Sequence, residues 1–148
     1  MTLLKNTPQL PVAIGDALKG AFPRLRVGNR HTLTDAENRA RVLISVERNG
    51  PGERSLEGRK AQALSVSLRA TVASVSSPFD ACDLASQLMD LALDNRWGFA
   101  PDQCDLPTSI VAAPSPLSGA ETDYISWTVS FTQTLYLGPG VDIASFLG

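Results

Sequence analysis

The chain has 148 residues with a formal net charge of −2, and 43% of its residues are hydrophobic, the composition of one soluble globular domain with its own core. Because no stretch approaches ~18 uninterrupted apolar residues, a membrane-spanning helix is not expected, and Met1–Pro11 lacks the apolar run of a signal peptide. Cys82 and Cys104 are too few for a disulfide framework and match no zinc-ligand spacing, so both thiols are expected to be free.

The first predicted element is a short helix over Leu10–Phe22. Pro11 suits the first turn of a helix, and Pro23 ends it because proline cannot continue the backbone hydrogen bonds. The apolar residues between them form a partial stripe. After the helix, Arg24–Val27 predicts a short extended piece and Gly28–Arg39 a polar loop.

Two segments with period-2 alternation predict a strand hairpin. Arg41–Arg48 and Ala61–Ser74 place apolar side chains at every second position, which is the pattern of half-buried strands. Between them, Asn49-Gly50-Pro51-Gly52 predicts a turn, and the arginine-rich segment Glu53–Lys60 follows it. We therefore expect an antiparallel hairpin with an unusually long tip, and loops of such length are often functional.

Ser77–Asp94 predicts the second helix. Ser77 suits the N-cap, Pro78 suits the first helical position, and two aspartates in the first turn suit the positive end of the helix dipole. Leucines and alanines share one stripe, so this amphipathic helix is expected to pack on a sheet. Cys82 lies one residue from that stripe and is expected to be a small core residue.

The longest alternating segment is Asp123–Leu137. Its apolar residues, with Trp127 and Phe131 among them, fall on the face expected to join the core, and hydroxyl-bearing residues fall on the other. A long, neutral strand templates pairing with other chains if its edge is open. We therefore expect it to be paired or covered, with a neighbouring subunit as one candidate. Gln133 interrupts the apolar face, so it is expected where the strand leaves the core or contacts another subunit.

Together these elements predict an α+β fold, with a mostly antiparallel β-sheet, a long hairpin and two helices packed on one face. A short strand at Ser109–Ala113 precedes the long one. Residues 1–148 are expected to form a single domain with an N-terminal arm over 1–10 and a C-terminal tail over 138–148. The tail carries a small apolar patch that an already complete domain would bury with difficulty, so we expect it either to dock on a neighbouring copy or to pack on the chain's own sheet.

The charges are segregated along the chain. Between Arg24 and Arg69 there are ten basic and five acidic residues, whereas Ala70–Gly148 holds one basic residue, Arg96, and nine acids. Because potentials of opposite sign steer association, such a chain can dock head-to-tail on copies of itself. The alternative is that the asymmetry averages out once the two parts fold together.

The sequence carries no recognised catalytic motif. The phosphate loop, the dinucleotide glycine fingerprint and the nucleophile elbow are absent, and His31 is the single histidine that a triad could use. Two carboxylate pairs lie on neighbouring turns of the second helix: Asp80 with Asp83, and Asp90 with Asp94. Such a pair could bind a hard cation, but a solvated helix face is the simpler interpretation. No catalytic residue, metal ligand or cofactor is predicted, and the chain is not expected to be an enzyme.

Contacts with partners are predicted at three places. The hairpin tip carries positively charged side chains, the long strand carries the polar residue Gln133 on its apolar face, and the tail carries apolar side chains. Glutamates interleave with the cations and no aromatic residue stands beside them, so sequence-specific nucleic-acid binding is not expected. The candidate partner or oligomer-interface residues are Arg48, Arg54, Arg59, Lys60, Gln133, Val141, Ile143, Phe146 and Leu147.

The order of elements resembles the tail terminator proteins of long-tailed bacteriophages and related neck and tail-completion proteins. The shared features are an N-terminal helix, a long hairpin over Arg41–Ser74 with an extended tip, and a crossing amphipathic helix over Pro78–Asp94. A closing strand follows, with the aromatic-rich stretch Tyr124-Ile-Ser-Trp-Thr-Val-Ser-Phe. The resemblance covers most of the chain.

This resemblance implies a structural virion protein of the tail or neck, present in the host cytoplasm during assembly. It would form a ring, expected to be a homohexamer, that caps the head-proximal end of the tail tube, ends tube polymerisation and joins the tail to the head. The implied partners are copies of the chain, the tail tube protein and a head–tail connector or stopper protein. DNA would pass through the lumen without specific binding, and no membrane is involved.

In that family, hairpin tips and tails commonly reach between subunits or toward the tube. On this chain these segments would be Arg48–Lys60 and Gly138–Gly148. The alternatives are another neck component, such as a head-completion (stopper) protein or a tube-initiation ring, and a small metal-dependent hydrolase or nuclease. A further alternative is an α+β binding module unrelated to phages, which a stable monomer would favour.

Overall fold

The structure is a computed structural model that describes residues 4, 6–29, 40–52, 61–73, 80–115 and 124–137. Over these residues the fold is α+β, as predicted. No described helix is long and apolar enough to cross a bilayer. In chain order the elements are α1 (Gln9–Ala21), β1 (Arg26–Gly28), β2 (Arg41–Pro51), β3 (Ala61–Ala73), α2 (Ala81–Ala92), β4 (Thr108–Pro114) and β5 (Tyr124–Tyr136).

The five strands form one sheet in the order β1-β2-β3-β5-β4. The predicted hairpin is present, because β2 and β3 pair antiparallel from Arg41 opposite Thr71 to Pro51 opposite Gln62. β3 with β5 and β4 with β5 are antiparallel as well. The sequence did not predict that β1 pairs with β2 in parallel.

β5 lies in the interior of the sheet and is paired along both edges by its own chain. β3 runs beside it from Tyr124 to Tyr136. On the other edge, β4 and its flanking residues pair with β5. At one end the N–H of Ser115 donates to the carbonyl of Ser126, and at the other end the N–H of Tyr136 donates to the carbonyl of Gln103. A neighbouring subunit is therefore not needed to cover this strand, because its backbone groups are satisfied within the chain.

Both helices pack on one face of the sheet, as predicted. α1 lies over β1 and β2, and α2 lies over β3, β5 and β4. Between helices and sheet is a single core, in which Leu10, Ile14 and Leu18 of α1 and Leu84 and Leu88 of α2 are almost completely buried. Burying one such side chain stabilises the fold by about 1.5–3 kcal/mol. All the β3 residues predicted to face inward are buried, namely Leu64, Val66, Leu68, Ala70 and Val72.

β2 continues through the predicted turn and ends at Pro51 rather than at Arg48. β3 extends far enough to pair with these residues, and Asn49 and Gly50 lie opposite Leu64 and Ala63. Tertiary pairing therefore outweighs the local turn propensity. Proline is tolerated here because it stands at the end of a strand.

α2 begins at Ala81 rather than at Ser77. Its N-cap is Asp80, whose Oδ1 accepts a hydrogen bond from the backbone N–H of Asp83 at 3.1 Å. Aspartate is as good an N-cap as serine, so the helix can start at the later residue. Ser77 and Pro78, which were predicted to begin the helix, lie outside the described residues.

Gly52 marks the point where β2 closes onto β3, and it gives a test of this register. Its N–H donates to the carbonyl of Ala61 at 2.9 Å, and a Cβ at this position would overlap the Cβ of Ala61. We predict that Gly52→Ala lowers the free energy of unfolding, measured by urea denaturation, by about 1–3 kcal/mol because the strands must move apart.

The matched control for this prediction is Gly50→Ala, two residues earlier in the chain and within β2. No heavy atom lies within 4 Å of a Cβ added at Gly50, so the expected change stays within about 0.5 kcal/mol. Equal losses in the two variants would contradict the close approach of Gly52 to Ala61.

Candidate interaction surfaces

Most of the predicted interface residues lie outside the described part of the chain: Arg54, Arg59, Lys60, Val141, Ile143, Phe146 and Leu147. Their role stays a prediction. Arg48 is described, and it is exposed on β2 just after a β-bulge at Glu47. A bulge redirects the side chains around it, and the carboxylate of Glu47 accepts a hydrogen bond from the hydroxyl of Ser67 at 2.8 Å. Arg48 is therefore placed where a partner can reach it.

Gln133 is fully buried and completes a hydrogen-bond cluster within its own chain. Its Oε1 accepts the indole N–H of Trp97 at 2.8 Å. Its Nε2 donates to the carbonyls of Asn95 and Asp105, each at 2.9 Å. The predicted subunit contact at Gln133 is wrong, as is the prediction that the strand leaves the core there. A buried polar group needs partners, and the loop after α2 supplies them.

The loop that follows α2 is part of the core. Trp97 stacks on Phe131 of β5 with ring centroids 6.4 Å apart, and both Trp97 and Phe99 are nearly buried. Trp97 has a left-handed backbone, with φ of 57°, which is uncommon for a bulky residue. Its backbone N–H donates to Oδ1 of Asn95 at 2.7 Å, which supports this conformation. The sequence of this segment, with Gly98, Pro101 and Pro107, indicates a loop, and its two aromatic residues are the signal for its packing.

The face of the sheet opposite the helices, here called the outer face, is rich in hydroxyl groups. A groove of about 550 Å³ runs across β2, β3 and β5 there. Its lining includes Ser45, Ser67, Arg69, Ser115, Thr128 and Ser130. An antiparallel sheet with one face covered by helices and one polar face is the arrangement that the alternation predicted.

Parts of the outer face are nevertheless covered by neighbouring side chains. Thr71 and Ser126 are almost fully buried, with their hydroxyl oxygens 3.2 Å apart. Nε of Arg69 donates to Oγ of Ser126 at 3.0 Å, and the guanidinium of Arg41 lies 5.2 Å from the ring centroid of Tyr124. Cross-strand hydrogen bonding therefore rigidifies this face.

Tyr136 also departs from the alternation. It was assigned to the polar face of the long strand, but it is fully buried. Its hydroxyl donates to Oδ2 of Asp105 at 2.8 Å. The residues before β4 fold over this end of β5, and they provide the partner that a buried tyrosine hydroxyl needs.

A cleft separates α1 from the loop after α2, and it is here called the α1 cleft. It has a volume of about 720 Å³, and its lining includes Val12, Ala13, Asp16, Ala17, Trp97 and Phe99. Val12 is 64% exposed, more than any other large hydrophobic residue that is described. Single exposed hydrophobic residues are ordinary, but this one borders a concave, mostly apolar surface.

The described charges remain segregated after folding. Five arginines and one glutamate lie on or beside β1, β2 and β3: Arg24, Arg26, Arg41, Glu47, Arg48 and Arg69. Six aspartates and one arginine lie on α2 or in the segments flanking it: Asp80, Asp83, Asp90, Asp94, Arg96, Asp102 and Asp105. In the sheet, the strands β1, β2 and β3 that carry the arginines lie toward one edge, and α2, which carries several of the aspartates, packs over β3, β5 and β4. The described basic and acidic residues therefore belong to different elements of the fold.

Of the two carboxylate pairs considered as cation ligands, one pair accepts hydrogen bonds within α2 and the members of the other are not on the same helix. Asp80 caps α2, and Oδ2 of Asp83 accepts a hydrogen bond from Nε2 of Gln87 at 3.3 Å. α2 ends before Asp94, whose φ is 57°, so Asp90 and Asp94 are not on successive turns of one helix. Within the described residues, no three His, Cys, Asp or Glu side chains are grouped to hold a metal ion.

The two cysteines have opposite environments. Cys82 is exposed on α2, so the prediction of a core position is wrong. The buried residues of this part of the helix are Ala81, Leu84 and Ala85, and Cys82 lies off the face that they share. Cys104 is completely buried. Burial raises the pKa of its thiol to about 12, and the charge of Asp105 contributes to the rise. A thiol with so high a pKa is a poor nucleophile and a poor metal ligand.

Comparison with known proteins assigns no family to this chain. No protein-family model matches it, and no curated protein matches it. One similar solved chain, which carries only a serial name, is 16% identical over 88% of this chain and 92% of that chain, with a TM-score of 0.49. A likeness this distant carries no functional argument.

The cluster around Gln133 gives a prediction about stability. Gln133→Leu leaves the buried indole N–H of Trp97 and two partly buried carbonyls without their partner. Each unsatisfied buried group costs about 1–3 kcal/mol, so we expect the free energy of unfolding to fall by about 2–5 kcal/mol. The free energy of unfolding is measured by urea denaturation, with tryptophan fluorescence as the signal. Ser130→Ala, at an exposed position of the same strand, is the control and should change little. If Gln133→Leu had the same free energy of unfolding as the parent, the cluster would not contribute to stability.

Cys104 gives a prediction about alkaline stability. Its pKa is about 12 in the folded chain against an ordinary value of 9.0, so the unfolded chain loses this proton first as pH rises. The stability linked to this proton is complete below about pH 8.5 and is lost between about pH 9 and pH 12. Cys104→Ala should flatten the decrease in unfolding free energy between about pH 8 and pH 10.5, measured by chemical denaturation. Equal slopes in the parent and in Cys104→Ala would refute the assignment.

Proposed function

We propose that this chain is the subunit of a structural ring that caps the head-proximal end of a bacteriophage tail tube. The ring ends tube polymerisation and provides the interface to the head connector. The observation that carries the proposal is the division of the described charges between a basic side at β1, β2 and β3 and an acidic side around α2. A heterologous contact needs two different, complementary surfaces, and it closes into a ring when the rotation between copies fits.

The positions of the sheet edges favour the same head-to-tail contact. The basic side includes the β1–β2 edge, and β4 forms the opposite edge, just after Asp102 and Asp105 of the acidic side in the chain. Placing one copy beside the next therefore brings opposite edges and opposite charges together. β1 pairs only with Arg41–Leu43 of β2, so among the described residues the rest of this β2 edge has no strand beside it. Open edges are suited to pairing with another chain.

Charge supplies orientation and association rate rather than most of the affinity. Exposed ion pairs are typically worth about 0.2–1 kcal/mol each, so a stable ring also needs apolar contact at the centre of each interface. Exposed hydrophobic residues lie on both sides of the molecule, with Val46 on β2, Leu93 after α2 and Val111 on β4. These are suitable centres for the two contacting surfaces.

The assignment of this ring to a phage tail rests on the order and size of the elements. The α+β fold, the helices on one face and the long β2–β3 hairpin agree with what the resemblance to tail terminators implies. On this proposal the chain acts as a homohexamer, with the tube protein on one ring face and the connector on the other, and DNA passes through the lumen.

The ring proposal is tested by the solution mass and its dependence on charge. Light scattering from micromolar concentration upward should show a discrete ring-sized oligomer, favoured at low salt because salt screens exposed charges. Arg48→Glu places an acid on the basic side and should shift assembly to about tenfold higher concentration, as a loss of ~1.4 kcal/mol would. Lys19→Glu makes the same charge change on α1 and should have a smaller effect. A monomer at every concentration and salt, with and without tube protein, would refute the ring.

The place of the ring is tested with polymerising tail tube protein. Added ring should stop tube growth and appear at one tube end in electron micrographs. A ring that binds the head connector and leaves tube growth unchanged would indicate another neck component. Binding of Mg²⁺ with hydrolysis of a substrate would instead favour the enzyme alternative.

A further inference from the structure

We propose that the α1 cleft is the docking site of this chain's own C-terminal segment, residues 138–148. This inference concerns a different surface from the charged sides that carry the ring proposal, and it does not depend on the ring. It replaces the expectation that the tail reaches a neighbouring subunit.

The α1 cleft has the properties of a surface that something covers. Its volume of about 720 Å³ is in the range of sites that enclose a small ligand or part of a peptide. Val12, on the wall of the cleft, is 64% exposed, and the alanines and aromatic residues around it are apolar. Asn6 also lines the cleft and offers an amide that can bind backbone groups of an occupant.

The C-terminal segment has the matching composition. Four of its eleven residues are large and apolar: Val141, Ile143, Phe146 and Leu147. Asp142 is its only charged side chain. The segment opens with Gly138, Pro139 and Gly140, residues that favour a change of chain direction. Its apolar residues gain from any site that removes them from water.

The point at which the described chain ends makes the cleft reachable. Trp97, which lines the cleft, is hydrogen-bonded to Gln133 of β5. Gln133 and Leu137 share one face of this strand, about 13 Å apart along it, and Leu137 packs against the core. Eleven residues can extend about 35 Å, which is long enough to reach the cleft from Leu137 and to cross it. An attached segment also has a high effective concentration compared with one from another copy.

Disulfide trapping tests the occupant directly. In the full chain carrying Cys82→Ser, the pair Val12→Cys and Phe146→Cys should oxidise to an intrachain disulfide, seen as a faster-migrating monomer on a non-reducing gel and mapped by mass spectrometry. The matched control pairs Phe146→Cys with Ser130→Cys, which is exposed on the outer face, and should not crosslink under the same oxidant. Absence of the Val12–Phe146 crosslink would overturn the proposal.

Mixing the two single-cysteine proteins separates this chain's own segment from a neighbour's. If Val12→Cys and Phe146→Cys proteins form a disulfide-linked heterodimer more efficiently than the double variant closes on itself, the cleft holds a neighbour's segment and the proposal is wrong. The light-scattering test of the ring is independent of this result, so failure of either proposal can be recognised separately.

A double-mutant cycle provides a second readout that does not depend on sulfur chemistry. Val12 is exposed in the described structure, so Val12→Lys should not disturb folding if the cleft is empty. If the segment covers it, Val12→Lys and Phe146→Asp should each lower the Tm of the full chain by several degrees, and together by no more than the larger single effect. An unchanged Tm, or strictly additive losses, would overturn the proposal.

Discussion

The antiparallel pairing of β3 with β5 is the constraint on which the rest of the structure depends. Each strand has 13 residues, and they pair along their full length although α2 and β4 lie between them in sequence. Closing a loop of that length costs conformational entropy, which is offset by the apolar residues that both strands bury against the helices. Once this pair is formed, β2 adds to one edge and β4 to the other, and α2 with its acidic residues packs over the pair.

The same pair determines what the two faces of the sheet can do. On the helix face, Phe131 and Gln133 hold Trp97 by stacking and by a hydrogen bond, so the loop after α2 becomes a rigid wall of the α1 cleft. A fully satisfied buried polar cluster of this kind specifies one arrangement, because any other would leave its groups without partners. On the outer face, cross-strand hydroxyl and arginine contacts leave a polar surface that exposes few large apolar groups.

The two proposals use separate parts of this architecture. A segment docked in the α1 cleft would remove the most exposed apolar patch from water and complete the core within one chain. The charged sides and the sheet edges would then remain for contacts with further copies. This division fits a structural subunit, in which steering by charge selects the orientation and apolar burial within the chain provides stability.

The sequence by itself determined where both helices and the long strands lie and which side chains of β3 face inward. Period-2 alternation predicted β3 and β5 to within one residue at each end. The apolar stripe and the flanking prolines predicted α1 with the same accuracy. These signals work because they are local properties of the residues that form each element. The segregation of charge was also readable from the sequence. Only the tertiary structure decided which strands are neighbours, that β2 continues to Pro51, and that Cys82 is exposed while Tyr136 is buried.

Gln133 shows the physical reason for this difference. From the sequence it was a polar residue that interrupts an apolar face, which suggested a subunit contact. The groups that satisfy it belong to Asn95, Trp97 and Asp105, nearly thirty or more residues earlier in the chain. Local patterns cannot reveal such partners, because the free energy of a buried polar group depends on atoms that only folding brings within hydrogen-bond distance.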